Sequence, residues 1–195
     1  MKRVVRARMK GFTLVELMVT VSLFALLLSF AYPSYTTFIR NTQVRAAADS
    51  VLNGLQLARA EAIRRNTNIQ FQLLNTSNST AVTGGTDWAV MSAATATPAV
   101  FDQQIQTRRE RSASSNARIG TATTVTATVA AAGAGMPANV AFTGLGRLTT
   151  ATTVRKIDVT GGTGTRTLSI VLAPGGDARL CDPAFTLATN PQGCL

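Results

Sequence analysis

From Phe12 to Tyr32 the chain runs through 21 residues of which Glu16 alone is ionisable. At about 1.5 Å of rise per residue, such a helix spans roughly 30 Å, the thickness of a bilayer's hydrocarbon core. Pro33 ends the run, and its missing backbone donor predicts a kink there. Beyond it the pattern becomes periodic. Val44, Ala48, Val51, Leu55, Ala58 and Ala62 recur at steps of three and four, which predicts an amphipathic helix with one buried stripe. Arg45 with Asp49 and Glu61 with Arg65 form i, i+4 pairs on the exposed faces. Asn66-Thr67-Asn68 breaks the pattern, so one helix is predicted from about Thr13 to Arg65.

After Asn66 the period changes to two. Ile69, Phe71 and Leu73 alternate with polar residues, as do Val125, Ala127 and Val129 with Thr124, Thr126 and Thr128. Residues 87–91, 139–142, 156–159 and 167–172 read as further strands, separated by Ser/Thr/Asn/Gly clusters that suggest antiparallel hairpins. The expected class is α+β: a long N-terminal helix, transmembrane in its first half, packed on an antiparallel β-sheet C-terminal domain. The expected division is a leader over 1–11, a membrane helix over 12–33, an amphipathic continuation over 34–66 and a β-rich domain over 67–195.

Charge sharpens the first part of this picture. Residues 1–10 carry Lys2, Arg3, Arg6, Arg8 and Lys10 and no acid, a cluster that keeps its end in the cytoplasm and sends the rest outside. The whole chain has 19 basic and 9 acidic residues, net +10. Without the five leader cations, 14 remain against 9 acids, a net +5, and only Lys156 among them is lysine. A mild arginine field permits phosphate binding without requiring it. An ordinary secretory signal would close its apolar region with a small-x-small site, which Ser29-Phe30-Ala31 fits only loosely. A carboxylate inside that region costs about 2.5–3.5 kcal/mol on insertion scales, so Glu16 is a functional candidate by default.

Gly11-Phe12-Thr13-Leu14-Val15-Glu16-Leu17 resembles the leader junction of the type IV pilin superfamily. The resemblance implies cleavage by a prepilin peptidase between Gly11 and Phe12 and N-methylation of Phe12. It also implies retention of the apolar helix and pairing of Glu16 with the terminal amine of a neighbouring pilin or pseudopilin subunit. A cationic partner would give a lipid-embedded carboxylate both a driving force and a register. The implied location is a single pass through the inner membrane, in contact with its lipid, with a periplasmic domain that later enters a filament. The segment Leu55–Phe71 adds a second resemblance, to the GspH/FimT family of minor pilins and pseudopilins, through Ala58, Arg59, Glu61, Ala62, Ile63, Arg65 and Asn66. Taken singly, Arg59 and Glu61 read as solvated or locally paired.

Outside the inner membrane the compartment is oxidising, so Cys181 and Cys194 read as a disulfide closing a C-terminal loop. The chain has no His, and two thiols are too few for a structural zinc site, so no metal or other cofactor is expected. FimT-type members, linked to DNA uptake, carry Gly-Arg-x-Arg before the first cysteine. Here the residues are Gly176-Asp177-Ala178-Arg179. Only Arg179 carries over, and it could pair with Asp177 or Asp182. Arg108, Arg109 and Arg111 in a polar loop, with Arg118 beyond, are further DNA candidates or simply a solvated basic loop. Arg147 follows Gly144 and Gly146, which would let backbone approach a ligand. Trp88 and Phe142 are assigned to the core. No nucleophile elbow or phosphate-cradling motif stands in the chain, so a non-enzymatic filament subunit without a small-molecule substrate is expected. It would prime or cap a type IV pilus, with DNA as a candidate partner; a pseudopilin of a type II secretion system is the alternative.

Overall fold

The computed structural model describes residues 11–74, 85–96, 99–109, 117–126 and 138–194, and among these not the side chains of residues 30–34, 94–96 and 99–102. Thr13 starts helix α1 (Leu14–Arg65) by offering its Oγ1 to the N–H of Glu16 at 3.2 Å, which satisfies one of the donors a helix start leaves open. Asn66 ends it. With φ at 49° it leaves the helix in the left-handed region, and the Thr67 N–H reaches back to the Ala62 carbonyl at 3.2 Å. The helix therefore occupies the predicted span to within a residue.

The chain divides into two compact units, Met1–Phe38 and Ile39–Leu195. In the first, large apolar side chains from Phe12 to Leu28 are more than half exposed. Among the described residues no helix is long and apolar enough to cross a membrane. The expected membrane helix over 12–33 runs past the described side chains. Described helical side chains stop at Ser29, whereas the apolar run in the sequence continues through Phe30, Ala31 and Tyr32. α1 passes Pro33 without a helix break.

The second unit holds the core. Val44, Ala48, Val51, Leu55, Ala58 and Ala62 are at most 1% exposed, so the predicted stripe is the buried face. Two four-stranded antiparallel sheets contribute to the same core. Strands β1 (Ile69–Leu74), β2 (Asp87–Ala96), β3 (Ala99–Arg108) and β5 (Asn139–Phe142) form a sheet ordered β3-β2-β1-β5. Strands β4 (Arg118–Ala122), β6 (Lys156–Thr160), β7 (Leu168–Leu172) and β8 (Ala178–Cys181) form a second, ordered β4-β6-β7-β8. Ile69, Phe71, Val140 and Phe142 from the first sheet and Ile119, Ile157, Val159, Ile170 and Leu172 from the second fill the core. Trp88 is buried there too, its rings 5.8 Å from Phe71 and its Nε1–H donating to Ser50 Oγ at 3.0 Å, so the buried polar tip is satisfied.

Two strand expectations need correction. The Thr/Val alternation from 124 is not a strand in its described part, because residues 123–126 form a bend beyond β4; 127–129 lie outside the described residues. The polar stretch expected to be a loop at 106–108 is the end of β3, where Arg108 pairs across from Trp88. Cross-strand partners, which no single segment reveals, decide both cases.

Candidate assembly helix and arginine-bearing surface

Gly11, Phe12 and Glu16 sit together at the start of α1, all exposed. Thr13 and Glu16 stand at the first and last positions of a capping box, although only the Thr13 half is formed. Among the described residues Glu16 holds no ion-pair partner, and Leu14, Val15, Leu17, Met18 and Val19 surround it with exposed apolar surface. A carboxylate on such a surface is ready for a cation supplied from outside the chain.

The last turn of α1 is charged differently. Glu61 accepts from Arg64 Nη2 at 2.6 Å and from Arg65 Nε at 2.7 Å. Those hydrogen bonds, Arg64 first and Arg65 second, hold the Glu61 carboxyl below the usual carboxylate range, and the Arg64 guanidinium is pushed up in return. This is the local pairing expected for Glu61. The pair Arg45–Asp49 is looser, at 4.0 Å and well exposed.

Arg59 behaves otherwise than expected. Partly exposed, it is paired at long range rather than locally: Nη1 donates to Asp177 Oδ1 at 2.5 Å, Nε to the Gly146 carbonyl at 3.1 Å and Nη2 to the Gly175 carbonyl at 3.3 Å. One guanidinium thus ties α1 to two turns more than 80 residues away. The turns themselves are in contact. Gly176 has φ of 88°, and a Cβ there would lie 1.9 Å from the Gly146 carbonyl oxygen. Gly146, at φ 72°, presses against Ile63. The glycine beside Arg147 therefore serves close packing within the chain rather than the approach to a ligand expected from the sequence.

The candidate DNA contacts can now be placed. Arg179 lies exposed on the edge strand β8 and donates from Nη2 to the Cys194 carbonyl at 3.2 Å. It pairs with neither Asp177, held by Arg59, nor Asp182, which is held by Arg166. Arg118 opens β4, the opposite edge of the same sheet, across from Thr160. Two strands intervene, roughly 14 Å of sheet at about 4.8 Å per strand. Arg108 and Arg109 stand at one end of the other sheet, exposed but each already engaged. Arg147 stands exposed past the far end of β5, its carbonyl accepting from the Thr143 N–H at 2.8 Å. Arg111 lies outside the described residues. The described arginines are thus dispersed over sheet edges and ends rather than gathered into one patch.

Cys181 closes β8 and is bonded to Cys194, with Cα atoms 5.0 Å apart. The enclosed tail returns along the strand, Asp182 N–H donating to the Gln192 carbonyl at 2.7 Å. Among the described residues no group of His, Cys, Asp or Glu could hold a metal ion.

A long helix entering a β-sheet domain behind a Gly-Phe-Thr-Leu-Val-Glu junction defines the class: this is a type IV pilin-like protein. The prokaryotic N-terminal methylation motif matches residues 6–32. Within the class, the family described as type II transport protein GspH matches residues 47–176, about two thirds of the chain, and the chain belongs to that family. The type IV major fimbrial protein FimA of Dichelobacter nodosus is 40% identical over 55 residues, 28% of this chain and 34% of the relative. This chain thus spans about a third of the length of the curated relatives it matches. Among solved structures, the type IV minor pilin FimU of Pseudomonas aeruginosa superposes with a TM-score of 0.54 at 16% identity, covering 81% of this chain and 99% of that one. A second crystal form of FimU gives a TM-score of 0.50, 15% identity, and 77% and 99% coverage. At these identities the likeness is one of fold.

Proposed function

We propose that the chain is a minor subunit of a type IV filament that primes or caps assembly, inserted into the inner membrane by its N-terminal helix with the second unit in the periplasm. The observation that carries this reading is Glu16: an exposed carboxylate with no partner among the described residues, on a helix surface of exposed Leu, Val, Met and Phe. Helices of that kind gain by packing against one another, and a buried carboxylate among them demands a cation. The amine of a processed Phe12 on a neighbouring subunit supplies one. Gly11 supports cleavage by a prepilin peptidase, since among the described residues a Cβ there would meet nothing within 4 Å and so no packing contact calls for glycine.

The test is incorporation. Glu16→Ala should leave the melting of the second unit unchanged and sharply reduce entry into filaments; entry at the parental level would remove the pairing account.

The GspH family name favours a second reading, a pseudopilin of a type II secretion system. Deleting the gene separates the two: loss of pili supports the first, and loss of protein secretion with intact pili supports the second.

DNA contact belongs to this proposal as its finer part. Arg179 supports it, because Asp177 and Asp182 are both occupied by other arginines and leave its charge uncancelled. Bare loop and edge arginines hold phosphate without reading sequence. Labelled duplex DNA should shift with the full chain in detergent, more weakly as salt rises. Arg179→Ala should weaken the shift several-fold, and no shift at low ionic strength would eliminate this part.

A further inference from the structure

From Leu17 to Ala48 the chain carries no acid, and its only charges there are Arg40 and Arg45. Both lie where α1 enters the second unit, Ile39–Leu195. Arg40 is exposed, and among the described residues its side chain makes no hydrogen bond or ion pair. Arg45 is 74% exposed, with Asp49 no nearer than 4.0 Å. A third arginine joins them. The Arg166 N–H donates to Asn41 Oδ1 at 2.9 Å, and Arg45 and Arg166 line one cleft with Leu168, Leu180 and Pro191. Asp182, which holds the half-exposed Arg166 guanidinium, is itself buried. Three guanidinium groups are thus gathered at one end of the unit.

Arg166 brings an apolar loop to the same end. Its guanidinium lies 5.6 Å from the ring centroid of Phe185, in the loop that the Cys181–Cys194 bond closes. From Pro183 to Gln192 that loop has no charge, and its Phe185 and Leu187 are 40% and 48% exposed. Much of its polar backbone is satisfied internally. The Phe185 N–H reaches the Asp182 carbonyl at 3.2 Å, and the Asn190 N–H reaches the Thr186 carbonyl at 2.9 Å. The hydroxyls of Thr186 and Thr189 meet at 2.8 Å. A loop closed in this way can leave water with few polar groups stranded.

We infer that this end of the second unit lies on an anionic phospholipid surface, with Arg40, Arg45 and Arg166 on headgroup phosphates and Phe185 and Leu187 dipping into the headgroup layer. Guanidinium beside exposed aromatic and aliphatic side chains suits a lipid interface, which offers phosphate and hydrocarbon together. Chain length ties the surface to the bilayer that holds α1. Arg40 follows Tyr32 by eight residues, a reach of no more than about 28 Å even fully extended. Duplex DNA would meet the arginines but leave Phe185 and Leu187 in water. The inference rests on the membrane reading of α1 proposed above.

The test places the full chain in lipid nanodiscs and reads the loop through Leu187→Trp, against the constant background of buried Trp88. A nitroxide on the lipid headgroup quenches an indole that reaches it. With phosphatidylglycerol in the disc, quenching should be at least about twofold stronger than with phosphatidylcholine alone, and should weaken as salt rises. Arg40→Gln combined with Arg45→Gln should return it to the phosphatidylcholine level. The same charge loss about five turns further along α1, Arg64→Gln with Arg65→Gln, should leave it unchanged. Arg166 is kept, because its removal would orphan the buried Asp182. Equal quenching in the two lipids, or indifference to the Arg40 and Arg45 changes, would overturn the inference. So would relief of quenching by duplex DNA, which would assign the arginines to nucleic acid instead. A chain that fails to enter the discs defeats the membrane reading and this inference with it; one that enters without headgroup quenching defeats the inference alone.

Discussion

Asp177 shows how one residue can change its meaning between sequence and structure. Beside Gly176 and Arg179 it reads as an acid that spoils a phosphate-binding motif. In the fold it is the far anchor of Arg59, with Gly146 and Gly175 as the other two acceptors. The ion pair is partly exposed, side chains 34% and 74% accessible, so Asp177→Ala should cost no more than about 1 kcal/mol in denaturant unfolding. Gly176→Ala should cost more, about 2–4 kcal/mol, because the new methyl enters the space of the Gly146 carbonyl and the backbone sits where L-residues are strained. Equal costs for the two variants would mean that the charge, not the close turn-to-turn approach, holds this corner.

At the scale of elements, α1 was legible almost whole and the sheets only in part. The helix announced itself by a period that one segment carries alone, from Val44 to Ala62, and by the stop at Asn66. β1, β5, β6 and β7 were legible for the same reason: each alternates or runs apolar over its own length. β3, β4 and β8 were not. Gln103, Gln104 and Gln106 make β3 look like a loop, and it is held instead by pairing with β2 across register shifts. β8 is four residues whose partners lie on β7. The same limit governed the site, where the junction around Glu16 is local and was readable. Arg59 was misread because its acceptors lie far along the chain.

The last turn of α1 also sets a pH response. Glu61 has its folded pKa depressed by Arg64 and Arg65. Its stabilisation is therefore fully present above the ordinary carboxylate value and is lost as pH falls through the lower folded one. Glu61→Gln should flatten the acid limb of a melting-temperature profile below about pH 5, an effect that salt weakens. An unaltered acid limb would remove the pair from the account. Reduction of the Cys181–Cys194 bond belongs at this scale as well. The bond spans a separation of 13 residues, so its loss should lower stability by roughly 3 kcal/mol in the loop-entropy picture, measured by unfolding with and without reductant.

For the molecule as a whole, the two units have opposite relations to water. Ile39–Leu195 buries its apolar residues under two sheets, while the helix before it leaves Phe12 to Leu28 uncovered. On the proposed reading, this uncovered apolar surface packs against lipid or other helices of the same kind, and Glu16 sets the register. Mass spectrometry and N-terminal sequencing of the protein recovered from cells measure this most directly. The account predicts a chain that begins with N-methylated Phe12 and keeps every residue of α1. A mature chain beginning beyond Tyr32 would contradict it, because that part of the helix would then be a discarded signal.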